Sequence, residues 1–368
     1  MTRYGPMFGP DVTFLGVPKL DLDDEPALAR TDAVIVGAPY DAGASYRGGA
    51  RFGPMAIRST DYLPHDGSRP HLVLRKDGLK DLRVADAGDI EMAMTEGKVP
   101  LDALEAAVEK ITRAGAIPVV LGGDHTITWP DVTGVARAIG WGRVSVIHFD
   151  AHADTGDITF GSLIGHGQPM RRLIESGACR GDRFLQLGLR GYWPEPATLG
   201  WMAEQRMRSY HMHEITQRGF KACLDEAFEI ATDDCDGVFV SVDIDVTDPG
   251  SAPGTGTPEP GGFSPRELLD TVRRIGVELP VVGGGRGRGV AAVRPRRRDR
   301  VPGEPGDPGT ARRDRLPPGR RHLGHRPGHF AGGQAERPGQ VALNPPAGQK
   351  VVTTTTEPPG ACEFAPGD

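Results

Sequence analysis

Five short runs in this chain are apolar at both odd and even positions: AVIVGAP (33–39), PVVLGGD (118–124), VSVIHFD (144–150), RFLQLGLR (183–190) and GVFVSVDID (237–245). A strand of that kind must be covered on both faces, as in the interior of a parallel sheet. Helical patterns separate the runs. LDALEAAVEKITRAG (101–115) repeats apolar residues at spacings of three and four and stops at Gly115. GFKACLDEAFEIATDD (219–234) and SPRELLDTVRRIG (264–276) behave alike, and Ser264 with Glu267 three residues later forms a capping-box signal. The alternation predicts an α/β chain, a parallel sheet with helices on both faces.

Charge and cysteine usage narrow the function classes. With 43 Lys+Arg against 49 Asp+Glu, the net charge is −6, which favours neither nucleic acid nor an anionic membrane as a partner. Cys179, Cys223, Cys235 and Cys362 form no C-x-x-C pair, and so low a count suits a reducing compartment. The first 18 residues hold no signal-peptide core, and no stretch approaches 18 apolar residues. A cytoplasmic location is expected.

The chemistry gathers where the strands stop. GGDH, HFDAHAD and SVDID each begin apolar and finish in His and Asp, and ligands of open α/β sheets bind at the carboxyl ends of strands. In D-A-H-A-D, alternate residues place Asp150, His152 and Asp154 toward one side, and V-D-I-D does the same for Asp243 and Asp245. His125 follows a Gly-Gly turn that lets the backbone approach a bound ion. Four carboxylates and two imidazoles form a hard, oxygen-rich set suited to Mn²⁺. Carboxylates so close repel one another without cations, so two divalent ions are expected rather than one. Any one of these residues alone reads equally well as a helix cap or a satisfied core histidine. The set on three strand ends does not.

GGDHT (122–126), FDAHADT (149–155) and SVDIDVTDPGSAPGTGTPEPGG (241–262) resemble the signatures of the ureohydrolase (arginase/agmatinase) family. GAPYDAGASYRGGARFGPMAIR (37–58) resembles the substrate loop and first helix of its agmatinase branch, and the likeness spans about residues 32–283. The resemblance implies a three-layer α/β/α fold of the arginase/deacetylase type, a homo-oligomer (trimer or hexamer), and a small guanidino compound as substrate. It implies one manganese on His125, Asp150, Asp154 and Asp243, another on Asp150, His152, Asp243 and Asp245, and a bridging water acidified by both. The reaction implied is hydrolysis of agmatine to putrescine and urea. Guanidinobutyrate or another guanidino acid is the competing substrate. A zinc deacetylase of similar architecture would need one ion.

His166, in GHGQPMRR (165–172), matches the family's proton-shuttling histidine; otherwise it is an exposed loop histidine. Ser45, Tyr46 and Arg47 fall in the substrate loop as candidate substrate contacts, Arg47 being otherwise a plain surface charge, and Gly48 stands there in place of a frequent family proline. Glu259 either faces the substrate or sits at a turn, and Trp193 and Trp201 read as packing residues.

From Gly284 the character changes. The remainder is rich in Arg, Pro and Gly and has neither strand nor helix periodicity, which predicts a catalytic domain over 1–283 and a disordered tail over 284–368. The family pattern would continue here as F-D-V-V-E-V-x-P-x-Y-D, with a glutamate that grips the guanidinium. GGRGRGVAAVRP stands there instead. Restarting each codon at its second base from Gly284 permits A-D-V-V-E-V-S-P-P-Y-D across 284–295 and F-L-A-N-R-V-I-L-E across 301–310. An inserted base near the codons of Gly283 and Gly284 explains both runs. The expected consequences are loss of an internal strand and weak or no turnover, and a metal-binding remnant is the alternative from another class. Nucleic-acid binding by the tail arginines is disfavoured because no aromatic residues interleave with them.

Overall fold

The computed structural model describes residues 12–60, 70–92 and 97–287. Eight strands form one sheet: β1 (Ala33–Ala38), β2 (Val84–Asp89), β3 (Ile117–Gly122), β4 (Val144–Phe149), β5 (Phe184–Leu189), β6 (Arg208–His211), β7 (Gly237–Asp243) and β8 (Val281–Gly287). Their order is β2-β1-β3-β8-β7-β4-β5-β6, and every pairing is parallel.

Strand alternation sorts side chains into two cores. Val144 and Val146 of β4, Phe184 of β5 and Phe239 of β7 join one core with the Val99–Arg113 and Thr128–Ile139 helices. Ile147 and Phe149, Leu185 and Leu187, and Val238 and Val240 join the other, with the Phe220–Thr232 helix and Ile275 of the Pro265–Glu278 helix. The sheet is thus sandwiched, and all five apolar runs form strands. The Ser264–Glu267 capping box is present, and Gly115 adopts a φ of +86° just past the Val99–Arg113 helix.

Three strands were not anticipated. β2 and β6 are the sheet's edges, and an edge strand needs less apolar surface: VADAGD and RSYH carry charge and are half open to water. β8 is different, because it lies at the centre, between β3 and β7. Val119–Leu121 pair with Gly284–Arg286, and Phe239–Asp243 pair with Gly283–Gly287. The boundary expected at 283/284 therefore falls inside a strand, and the sheet keeps this internal element. Backbone pairing on both sides holds it, although the run of glycines contributes no side-chain packing. Residues 288–368, which carry the rest of the expected tail, lie outside the described residues. No helix among the described residues is long and apolar enough to cross a membrane.

Candidate metal centre

The carboxyl ends of β3, β4 and β7 bring the anticipated residues together. Past β3 the chain turns at Gly123, whose φ is +66°; a Cβ there would come within 2.5 Å of the Ala38 carbonyl and 3.0 Å of that of Tyr40. The glycine permits close approach to the end of β1. The turn delivers His125, fully buried. Its Nε2 contacts Ser241 Oγ at 2.8 Å, which leaves Nδ1 facing the carboxylates. Nδ1 lies 2.8 Å from Asp150 Oδ2, 3.0 Å from Asp154 Oδ2 and 3.2 Å from Asp243 Oδ2, without hydrogen-bond geometry to any of them. One imidazole nitrogen and three carboxylate oxygens lie close enough together to suit a cation, although Asp243 falls in neither of the groups with metal-ligand spacing.

Asp154 is a non-glycine residue at φ +51°, a conformation that Asp adopts more readily than most side chains. His152, on the other side of Asp150, places Nδ1 3.4 Å from Asp150 Oδ1 and 3.2 Å from Asp245 Oδ2. The main chain secures these acids. The His152 N–H donates to Asp150 Oδ1 (2.7 Å), the Ala151 N–H to Asp245 Oδ1 (3.2 Å), and the Asp245 N–H to Asp243 Oδ1 (2.9 Å).

Two groups have metal-ligand spacing: His125, His148, Asp150 and Asp154; and Asp150, His152 and Asp245. Asp150 belongs to both. His148 was missed by sequence reasoning; its Nε2 lies 3.0 Å from Asp150 Oδ2. Behind it, Gln186 Nε2 is 3.4 Å from His148 Nδ1 and donates to the Ala153 carbonyl at 2.7 Å, while Ser209 Oγ donates to Gln186 Oε1 at 2.9 Å. The signal was available. His148, Gln186 and Ser241 are fully buried polar residues breaking otherwise apolar runs, all on one face of adjacent strands.

The electrostatics call for positive charge. Burial opposes charging His152, yet Asp150 and Asp245 overcome it and raise its pKa to about 10. Burial likewise opposes charging His125, and its three carboxylate neighbours again win, raising it well above the ordinary range. Burial would raise Asp150, but His125, His148 and His152 hold it well below the usual carboxylate range. Without a metal, protons on imidazoles supply the countercharge that divalent cations would supply.

Above these groups lies a cavity of about 950 Å³ whose lining includes Tyr40, Ser45, His152, Asp154, His166 and Trp193. His166 is buried against the 41–46 loop. Tyr46 and Arg47 stack on each other at 5.2 Å, with Tyr46 71% exposed, and neither lines the cavity. Glu259 Oε1 stands 4.0 Å from His152 Nε2. Trp201 packs between cores under the Arg171 guanidinium, whereas Trp193 faces the cavity, contrary to the packing role expected of it. Arg190, also missed, donates to the carbonyls of Asp245 (2.6 Å) and Glu259 (2.7 Å) and so ties the 245–260 loop to the end of β5.

Known proteins are similar to this chain in sequence and fold. Residues 31–284 match the Arginase family. The chain is 36% identical to proclavaminate amidinohydrolase of Streptomyces clavuligerus over 281 residues, covering 76% of this chain and 86% of that protein. The structure of that enzyme matches with a TM-score of 0.69, covering 78% of this chain and 91% of the other at 33% identity. Mitochondrial agmatinase of Gallus gallus is 36% identical over 249 residues, 66% of this chain and 69% of that one. Trypanosoma cruzi formiminoglutamase, crystallised with Mn²⁺, matches with a TM-score of 0.63 at 27% identity, covering 70% of this chain and 85% of the other. By fold, by the placement of its buried acids and imidazoles and by these likenesses, the chain belongs to the arginase family.

Proposed function

We propose that the site hydrolyses a linear guanidino compound to urea and an amine, with two manganese ions and with agmatine as the first substrate to test. The observation that carries this reading is the pair of buried carboxylate–imidazole groups sharing Asp150 at the floor of the cavity. His125, Asp150, Asp154 and Asp243 would hold one ion; Asp150, His152, Asp243 and Asp245 would hold the other. When bound, divalent cations at such a site supply Lewis acidity and an acidified water.

The chain's own residues supply the rest. Asp150 is oriented by the His152 N–H and by His148, so its two oxygens face opposite groups. His166 exchanges the proton that the departing amine requires. Glu259, beside His152, attracts the cationic guanidino group toward the floor. Ser45 lines the route, and Tyr46 and Arg47 sit beside it in sequence.

A metal-binding remnant is the second reading, and β8 is the observation that favours it. A central strand covered on both sides ordinarily carries β-branched residues, yet Gly283, Gly284 and Gly285 occupy this one. We attribute Gly284 and Gly285 to a displaced reading frame beginning at about residue 284. The alternative frame places alanine at 284, where a Cβ would meet nothing nearer than the Val240 carbonyl at 3.5 Å, and aspartate at 285, where a Cβ would come within 2.7 Å of Asp131 Oδ2 and the Asp131 side chain would have to shift. Urea release with added Mn²⁺ from agmatine, guanidinobutyrate, guanidinopropionate and arginine, using the printed and frame-restored chains side by side, tests this. Urea from the restored chain supports the hydrolase reading, and none from any substrate overturns it.

A further inference from the structure

Ser45 was singled out as a substrate contact, but its nearest polar neighbour is His166. Ser45 Oγ lies 2.6 Å from His166 Nε2, and the Ser45 backbone N–H donates to the same nitrogen at 3.1 Å. A backbone amide can only donate, so Nε2 is an acceptor and carries no proton in this arrangement. The neutral ring therefore keeps its proton on Nδ1. A second contact locks the two loops: the His166 N–H donates to the Gly43 carbonyl at 3.0 Å. A third ties that pair to the metal turn, because the Gly43 N–H donates to Asp124 Oδ2 at 2.8 Å, and Asp124 directly precedes His125. Gly43 has no room for a side chain, since a Cβ would come within 2.1 Å of Thr126 Oγ1.

We propose that Ser45 is a positioning residue that fixes the tautomer and orientation of His166, rather than a residue that recognises substrate. The proposal rests on the reading that His166 moves a proton in the reaction. Its physical content is preorganisation: a ring free to flip presents the wrong nitrogen part of the time, and two donors on one nitrogen remove that freedom. Of the loop residues singled out, only Ser45 has this reach, as Tyr46 and Arg47 stack on each other outside the cavity.

The test is nitrogen NMR of the full chain with ¹⁵N-labelled histidine rings, the His166 signals being assigned by their disappearance in His166→Gln. Above the ring's titration, wild-type protein should show His166 with an unprotonated, hydrogen-bonded Nε2 and a protonated Nδ1. Ser45→Ala keeps the backbone donor and loses the hydroxyl, so it should shift the Nε2 resonance and loosen the ring, and Ser45→Thr should restore the wild-type pattern. A proton on Nε2 in the wild type, or a Ser45→Ala spectrum identical to it, overturns the proposal. The measurement needs no turnover. Absence of urea from the frame-restored chain would thus remove the hydrolase reading and leave the role of Ser45 to be judged on its own.

Discussion

Asp243, the last residue of β7, lies opposite Gly287 of β8 in the parallel ladder. β8 therefore ends level with the carboxylates of the metal groups. The next position in the chain, 288, is the one at which the alternative frame encodes glutamate.

Restoring the frame from residue 284 should accordingly raise urea release on the order of 100-fold, the scale of a lost positioning contact. The measurement is a Mn²⁺-supplemented urea assay on both proteins at equal concentration. Robust release from the printed chain would refute the role given to that glutamate.

His148→Phe should weaken manganese binding without unfolding the protein. His148 holds Asp150 from behind, and loss of such an outer-layer partner lowers metal affinity by roughly 10–100-fold. Isothermal titration with Mn²⁺ checks this, and unaltered affinity would show that Asp150 is held well enough by the His152 N–H alone.

Asp131→Leu should stabilise the fold at neutral pH. Asp131 is buried on the Thr128–Ile139 helix, and neither of its carboxylate oxygens has a hydrogen-bond partner. Burial pushes its pKa well above the ordinary carboxylate value of 3.8. The folded state then binds its proton more tightly than the unfolded chain does. The resulting penalty is absent below the unfolded pKa and grows as pH rises toward the folded one. The gain from the substitution should be about 1–3 kcal/mol or more at pH 7 and should be smaller in acid, where only the unpaired neutral carboxyl remains to be relieved. Urea denaturation at pH 4 and pH 7 measures both, and a pH-independent gain would contradict the account.

Arg58→Met should cost about 3–5 kcal/mol, because it strands a buried carboxylate. The Arg58 guanidinium meets Asp86 through Nε at 2.8 Å and Nη2 at 2.9 Å, and it also pairs with Asp89. Asp86 is only 1% exposed. A change below 1 kcal/mol in thermal or denaturant unfolding would mean that water reaches Asp86.

Much of this protein was determined by sequence alone. Residues that alternate by two at the end of an apolar run leave the strand on one side, so Asp150, His152, Asp154, Asp243 and Asp245 declared a shared site through local geometry. The five apolar runs declared covered strands for the same local reason. What depended on distant chain segments was not legible. His148 looks like one polar residue in an apolar strand until Gln186 and Ser209, on neighbouring strands, are seen behind it. Arg190 looks like a surface charge until the 245–260 loop folds over it. Ser45 looked like a substrate contact because nothing local links it to His166, 121 residues away. β8 shows the limit most clearly. Glycine-rich and without periodicity, it had no strand signature, and only the slot between β3 and β7, with backbone groups to satisfy on both sides, made it one.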